Sequence, residues 1–259
     1  MNTGINTKIQ PLDTFIPRSS SGMILDVSTA FPVVVLTGPR QSGKTTLAQH
    51  LFPDKPYYSL ENPDTLRQYQ IDPRSFLTQH PQGVVLDEVQ RATDIFSYLQ
   101  GLVDAQQQMG QYIVTGSQQF GLLEKVTQSL AGRAGLVDLL PLSYFETSSV
   151  PALNRMPINE LLLRGGYPSL YDRRRNQRLA PQQWFASYFA TYVERDVRQV
   201  LQVRDSSTFL RFLRLCAHRA GQLLNLQNLA IECGISPTAA TQWLGVLQAS
   251  YIIRLLPPW

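Results

Sequence analysis

The stretch "VVVLTGPRQSGKTTLAQHL", Val33 to Leu51, places an apolar run, a loop with two glycines and a helical pattern directly after one another. The run from Phe31 to Thr37 is short, apolar and rich in valine, which is typical of a strand buried on both faces of a parallel sheet. A helix is expected to begin at Lys44, directly after Gly43. The stretch therefore predicts one strand, loop and helix unit of an α/β protein.

The same alternation of apolar runs and helical patterns continues to about residue 146. A second strand is predicted at Tyr57 to Leu60, and three more within "GVVLDEVQR" at 83–91, "QYIVTGSQQ" at 111–119 and "AGLVDLLPLSYFE" at 134–146. Helical patterns cover Asp64 to His80, with a break at Asp72-Pro73, and about Asp94 to Gln108. Strands that alternate with helices imply right-handed crossovers, so we predict an α/β fold with a doubly wound, mostly parallel sheet.

The second part of the chain reads as helical. Helices are predicted at Ile158 to Arg164, Gln182 to Val203 and Thr208 to Ala220. A helix, a turn at Gly234, a cap at Ser236 and a second helix follow, and an apolar strand is expected at Tyr251 to Leu255. This order predicts a winged helix-turn-helix. The expected segments are an N-terminal segment at 1–30, the core at 31–150, a helical, lid-like region at 158–204 and a winged-helix-like region at 205–259.

Composition limits the class of protein. The 259 residues are 43% hydrophobic and 16% charged, and the longest apolar run is far shorter than the ~20 residues that a membrane span needs. We expect no membrane span and, because the N-terminus lacks an apolar signal region, a cytoplasmic protein. Cys216 and Cys233 form no CxxC pair, which argues against structural zinc. The net charge of +4 permits a nucleic acid or acidic partner without requiring one.

The loop after the first strand fits the pattern GxxxxGK[ST]. In this pattern backbone N–H groups surround phosphates, the lysine, Lys44, reaches the β and γ groups, and the hydroxyl of Thr45 is a ligand of Mg²⁺. A helix that begins at the loop also points its positive end at the anion. The predicted phosphate-binding residues are Gly38, Pro39, Arg40, Gln41, Ser42, Gly43, Lys44, Thr45 and Thr46.

Two acids end the predicted third strand. Asp87 is costly to bury without a partner, and Mg²⁺ held together with Thr45 supplies one. Glu88 is then placed to orient and deprotonate an attacking water, which favours hydrolysis over binding alone. The chain reads "DEVQ" where a GTPase would show DxxG, and it contains no NKxD, so adenine is preferred to guanine.

Two further polar positions are candidates for contact with a phosphate. Thr115 and Ser117 follow the fourth strand, where either can donate a hydrogen bond to a γ-phosphate or can simply end the strand. Arg133 follows a predicted helix that ends at Gly132. Its guanidinium can stabilise transition-state charge in its own chain or in a neighbouring copy, which would require a homo-oligomer. It can equally be a surface arginine at a helix C-terminus.

An ordered series of motifs resembles the prokaryotic AAA-type ATPases. The chain contains the corresponding segments at Gly38 to Thr46, Asp87 to Gln90, Thr115 to Ser117, Ser129 to Arg133, Pro141 to Glu146, Gly165 to Pro168, Glu194 to Asp196 and Leu223 to Leu255. The resemblance covers nearly the whole chain and implies an AAA-type core that uses ATP and Mg²⁺, with Arg133 important in a role that the resemblance does not define.

Members of this family usually continue into a nuclease-like C-terminal domain of unknown function. The present chain stops at Trp259, and a wing normally pairs two strands where only Tyr251 to Leu255 is present. An unpaired apolar strand edge is a liability. The expectation is therefore a natural truncation or a fragment.

Two functions remain open on the sequence. One is an ATPase whose hydrolysis moves the helical part. The other is a DNA-binding regulator that uses ATP to set its conformation, with the helix from Ser236 to Gln248 in a major groove. The exposed candidates on that helix, Thr238, Thr241 and Gln242, include no basic residue, so contact with a protein client or a lid role is the alternative. The basic run Arg173 to Arg178 can contact phosphates or form a solvated loop.

Overall fold

The computed structural model describes residues 15–92, 94–106, 108–117, 126, 128–151, 153–154, 156–171, 180–191 and 206–257. The chain divides into two compact units, Met1–Arg178 and Leu179–Trp259. The basic run at 173–178 and the segment at 194–196 lie outside the described residues, as does most of the second half of the helix predicted from Gln182 to Val203.

The first unit is built on a five-stranded sheet in which every pairing is parallel. Its strands are β1 Val33–Thr37, β2 Tyr57–Ser59, β3 Val84–Asp87, β4 Tyr112–Thr115 and β5 Ala134–Asp138, in the order β2-β3-β4-β1-β5. The predicted α/β fold with a parallel sheet is confirmed. The fifth strand is shorter than the apolar stretch that predicted it. Pro141 cannot donate a ladder hydrogen bond, and Ser143 and Glu146 instead form the capping box of a helix.

Seven helices of the first unit are described. They are α1 Ser21–Ala30, α2 Lys44–Leu51, α3 Pro63–Ile71, α4 Pro73–Thr78, α5 Ile95–Gln106, α6 Tyr144–Ser148 and α7 Ile158–Arg164. The predicted break between α3 and α4 is confirmed: the Asp72 side chain accepts a hydrogen bond from Ser75 N, and Pro73 occupies the first helical position. No pattern in the sequence predicted α1, whose Ile24 is fully buried.

Both faces of the sheet are covered. Along β1, Val33 and Val35 pack into one apolar cluster, which contains buried side chains of α3, α4 and α5. Val34 and Leu36 pack into the other cluster, which contains buried side chains of α1 and α2. This alternation of neighbouring valines between two cores explains why the strand has no polar face.

An arginine before α1 fixes the N-terminal segment to the core. Arg18 Nε donates to Glu146 Oε1 at 3.1 Å, Nη1 to the carbonyl oxygen of Ser42 at 2.9 Å and Nη2 to that of Leu140 at 2.5 Å. Burial alone would raise the pKa of Glu146, but the N–H donors of Ser143, Ser19 and Arg18 outweigh burial and lower it. The segment before the sheet therefore braces the loop that follows β1.

The second unit is helical in its described part. Its helices are α8 Pro181–Tyr188, α9 Ser206–His218, α10 Leu226–Cys233 and α11 Pro237–Ala249. The predicted helix-turn-helix is formed by α10 and α11: Gly234 has a left-handed backbone with φ of 76°, and Ser236 Oγ accepts from Ala239 N at 3.1 Å. No helix in the described ranges is both long and apolar enough to cross a bilayer.

The strand predicted at Tyr251 to Leu255 does not form. Tyr251 has a left-handed backbone with φ of 58°, and the N–H groups of Ile252 and Ile253 both donate to the carbonyl oxygen of Leu247. The chain thus turns back onto the end of α11, as in a Schellman-type helix end. A strand needs a partner for its ladder hydrogen bonds, and the described residues of this unit contain no other strand. The prediction of a wing strand is therefore wrong for these residues.

Candidate functional site

The loop between β1 and α2 needs glycine at both ends. Gly38 has φ of 144°, and a Cβ there would lie 2.2 Å from the carbonyl oxygen of Leu139. Gly43 has φ of 93° and is the residue from which α2 begins. A side chain at either position would strain the backbone or collide with the chain after β5. The loop is therefore a tight turn without side chains at its two glycines, as binding of a phosphate by backbone N–H groups requires.

Lys44 points into the curve of this loop. Its ammonium donates to the carbonyl oxygens of Gly38 at 3.0 Å and Pro39 at 2.9 Å, and only 6% of the residue is exposed. Burial lowers the pKa of Lys44 to about 8, although the nearby Glu88 and Asp87 act in the opposite direction. The lysine is thus a poorly hydrated cation at the place where the sequence predicts the β and γ phosphates.

Asp87 is the most heavily bonded side chain of the site. Thr45 Oγ1 donates to its Oδ2 at 3.0 Å, Tyr57 OH donates to the same oxygen at 2.7 Å, and Thr115 Oγ1 donates to Oδ1. Burial, followed by the charge of Asp87, raises the pKa of Tyr57, so the phenol stays a donor. Thr45 and Asp87 together offer the oxygen ligands that Mg²⁺ prefers, with phosphate oxygens completing the shell, so the residues present fit this ion.

Glu88 follows at the end of β3 with a left-handed backbone, φ of 57° and ψ of 44°. Its Oε2 accepts hydrogen bonds from the amide of Gln90 and from Ser117 Oγ, the latter at 3.3 Å. Burial is the main reason that the pKa of Glu88 is raised, and the neighbouring Asp87 adds to it. A raised pKa makes a carboxylate a better proton acceptor, which suits a general base.

The structure brings together most of the predicted site residues. Lys44, Thr45, Asp87, Glu88, Thr115 and Ser117 are linked by direct hydrogen bonds or by mutual charge effects at the carboxyl ends of β1, β3 and β4. Arg40 is close enough to act on the charges of Lys44 and Glu88. Gln41 is exposed with φ of 61°, and Arg18 supports Ser42. Pro39 provides a carbonyl oxygen to Lys44, and Thr46 is the third residue of α2.

Arg133 lies at the amino ends of the strands, on the side of the sheet opposite to the phosphate-binding loop. Its carbonyl oxygen accepts from Val33 N at the start of β1, whereas the phosphate-binding loop follows the end of that strand, about 13 Å further along. Its guanidinium makes two hydrogen bonds to the exposed Asp104, at 2.5 and 2.9 Å. These bonds raise the pKa of Arg133 and lower that of Asp104. The structure does not bring Arg133 to the site of its own chain.

Sequence reasoning missed three residues that contact the site. Tyr57 and Gln90 lie inside segments that were predicted correctly, the second strand and "DEVQ", but no role was assigned to them. Arg18 precedes the predicted core. A tyrosine in the strand beside the acidic strand was the available signal for Tyr57, whereas nothing local marks Arg18 as a partner of a loop 24 residues away.

The sheet, the glycine loop and the acidic end of β3 are features of the P-loop NTPase fold. Residues 30–148 match the family model described as "AAA domain", and residues 156–259 match the model described as "Domain of unknown function (DUF8612)". Among solved structures, the Walker-type ATPase of Pyrococcus abyssi has the same fold: 16% identity, a TM-score of 0.60, and 91% of this chain and 90% of that chain covered.

Two curated relatives are similar over most of this chain. Uncharacterized proteins of Mycobacterium bovis and Mycobacterium tuberculosis are each 35% identical over 231 residues, which is 88% of this chain and 50% of each relative. The chain thus spans about half the length of the curated relatives that it matches. Residues 30–148 therefore resemble an AAA domain, and the chain shares its fold with a Walker-type ATPase.

The buried lysine predicts proton uptake on nucleotide binding. Burial lowers the pKa of Lys44 to about 8, so above that pH most molecules carry a neutral Lys44. Adjacent phosphates favour the charged form of the lysine. We expect ATP binding at pH 8.5 to take up a fraction of a proton and affinity to weaken as the pH rises through 8. Calorimetric titrations in buffers with different ionisation enthalpies measure the uptake. The Lys44→Arg variant, which stays charged, should lose this linkage, and an unchanged uptake in that variant would rule out Lys44 as its source.

Proposed function

We propose that the chain binds Mg²⁺ and ATP and hydrolyses the β-γ phosphoanhydride bond. The observation on which this rests is the hydrogen bond of 3.0 Å from Thr45 to Asp87. It joins the first helical turn after the phosphate-binding loop to the acidic end of β3, next to Glu88. Binding alone would not need a second, half-buried acid, Glu88, beside the metal-binding pair.

Each residue then has a distinct part in the reaction. Lys44 binds the β and γ phosphates, and Thr45 and Asp87 hold Mg²⁺, which when bound offsets the charge of the phosphate oxygens. Glu88 accepts a proton from the attacking water. Ser117 donates its one hydroxyl hydrogen to Glu88 in this structure, and rotation of the hydroxyl would let it donate to the γ-phosphate instead. Adenine rather than guanine, and a cytoplasmic location, remain predictions from the sequence.

Replacing the base should separate hydrolysis from binding. We expect Glu88→Gln to lower kcat for ATP by about 10²- to 10⁴-fold, the usual contribution of general base catalysis, while ATP affinity stays within a few-fold. Lys44→Ala should weaken affinity as well. Phosphate release and binding of a fluorescent ATP analogue measure the two effects. Wild-type protein that binds ATP with Mg²⁺ but never releases phosphate would refute the proposed hydrolysis.

Arg133 is proposed to act on the site of a neighbouring copy. It sits on the sheet edge opposite its own phosphate-binding loop, and 35% of its side chain is exposed. In a homo-oligomer, the start of β5 in one copy could face the phosphate-binding loop of the next copy. This arrangement would bring the guanidinium of Arg133 to a phosphate of the neighbouring site.

Assembly of this kind should show in the concentration dependence of turnover. We expect activity per chain to rise with protein concentration and Arg133→Ala to reduce kcat by about 10³-fold, as for arginine residues supplied in trans. Mixing this variant with Glu88→Gln, in which each copy carries one defect, should restore part of the activity. Total activity that is strictly proportional to protein concentration, together with monomers in light scattering, would count against the proposal.

The cycle of nucleotide binding and hydrolysis is proposed to be coupled to a conformational change of the helical unit. All three tryptophans, Trp184, Trp243 and Trp259, lie in the second unit, whereas the nucleotide site is in the first. Their fluorescence therefore reports on the helical unit alone. Addition of ATP and Mg²⁺ to the Glu88→Gln variant should change the emission if nucleotide binding alters that unit, and identical spectra with and without nucleotide would argue against coupling.

DNA binding is the second candidate function, and one observation favours it. The described residues of the second unit contain four arginines, Arg211, Arg214, Arg219 and Arg254, and a single acid. That acid, Glu232, pairs with Arg219, which leaves Arg211 and Arg214 exposed on α9. Helix α11 offers no basic side chain to a groove. Stimulation of turnover by duplex DNA that disappears as salt increases would favour this candidate, whereas indifference to DNA would favour a protein client.

A further inference from the structure

The side chain of Gln90 is placed against the base of the proposed hydrolysis. Its amide nitrogen donates to Glu88 Oε2 and to Ser117 Oγ, the latter at 3.2 Å. Its amide oxygen is buried and has no hydrogen-bond partner within the described part of the chain. The two contacts with the site are therefore the ones that account for an amide at this position.

The backbone holds Gln90 rigidly. It is the middle residue of a short 3-10 turn, Val89–Arg91, in which Arg91 N donates to the carbonyl oxygen of Glu88 at 3.0 Å and Ala92 N to that of Val89 at 3.0 Å. The side chain of Val89 is fully buried in the core beneath the sheet. Because the backbone of Gln90 is already ordered by this turn, its hydrogen bonds cost only side-chain rotamer entropy.

The strained backbone of Glu88 is a second observation. A left-handed backbone is unfavourable for a glutamate, and such strain persists only where the surroundings impose it. Here Asp87 is held by three hydroxyl donors before it and Val89 by the core after it. With this backbone, the Glu88 side chain lies against Ser117 and Gln90.

Gln90 and Ser117 both bind the same carboxylate oxygen. Glu88 Oε2 receives both donors, and Oε1 receives none from the residues that the structure describes. A carboxylate with one oxygen fixed has a defined direction for the lone pairs of the other. Resting on the proposed hydrolysis, we infer that Gln90 is a positioning residue, which fixes Glu88 so that Oε1 faces the attacking water.

A shape-conserving variant tests the inference. Gln90→Leu removes both donors at nearly constant volume, and we expect kcat for ATP to fall about 10- to 100-fold, the usual effect of losing a hydrogen bond to a charged group, with KM unchanged. Gln79→Leu is the matched control, because the Gln79 amide also donates one hydrogen bond, to Phe76 O at 3.1 Å on α4, away from the site. It should have wild-type kcat.

Binding of a transition-state analogue gives a readout that does not depend on turnover. We expect Gln90→Leu to weaken binding of ADP with aluminium fluoride and Mg²⁺ by a similar factor, while ADP and ATP bind as in the wild type. In a Glu88→Gln background the same change should have no further effect, because the residues act as a unit. An equal loss in both backgrounds, or equal loss of ADP affinity, would mean that Gln90 is only structural and would overturn the inference.

The two levels of the proposal fail in different ways. If wild-type protein turns over ATP and Gln90→Leu matches it, the inference is wrong and the proposed function stands. If wild-type protein binds ATP but neither releases phosphate nor prefers the analogue to ADP, the proposed hydrolysis is wrong and the inference fails with it.

Discussion

A buried carboxylate at the end of β3 is the constraint on which the site depends. Asp87 is 5% exposed, and an ionised carboxylate in that position is unfavourable unless several donors stabilise it. Three hydroxyls do so, and each comes from a different part of the fold: Thr45 from α2, Tyr57 from β2 and Thr115 from β4. The acid therefore couples four elements, and its position is defined only when the sheet is assembled.

The strand order explains how one acid can reach all three donors. In the sequence β2-β3-β4-β1-β5, β3 has β2 on one side and β4 on the other, with β1 one strand further away. Parallel pairing brings the carboxyl ends of these strands to the same edge. Thr115 therefore lies between the acidic strand and the strand that leads into the phosphate-binding loop. Tyr57 lies two residues before the end of β2, opposite Val85 rather than Asp87. Its side chain is long enough for the phenol hydroxyl to reach Asp87 from there.

Local patterns in the sequence predicted the sheet and most of the site. The valine run of β1, the glycine loop and the acids after β3 each depend on residues close together in the chain, and the structure places Lys44, Thr45, Asp87 and Glu88 where those patterns indicated. Helix α1 was missed because it lacks local signals: Ser20 at its N-cap makes no side-chain hydrogen bond, and the preceding Arg18 pairs with Glu146, 128 residues away. The wing strand was wrong for a related reason. An apolar run such as Tyr251 to Leu255 indicates burial, but whether it becomes a strand depends on a pairing partner elsewhere.

The charges of the site explain why a cation should be part of its chemistry. Asp87 and Glu88 lie beside a loop shaped for phosphates, and two carboxylates repel the anion that the loop and Lys44 attract. Burial makes this conflict stronger, because the same low polarity that lowers the pKa of Lys44 also increases the repulsion. A divalent ion held by Asp87 and Thr45 would offset this repulsion by adding positive charge beside the phosphates. The second carboxylate, Glu88, is fixed by its own donors and would then be left to accept a proton from the water.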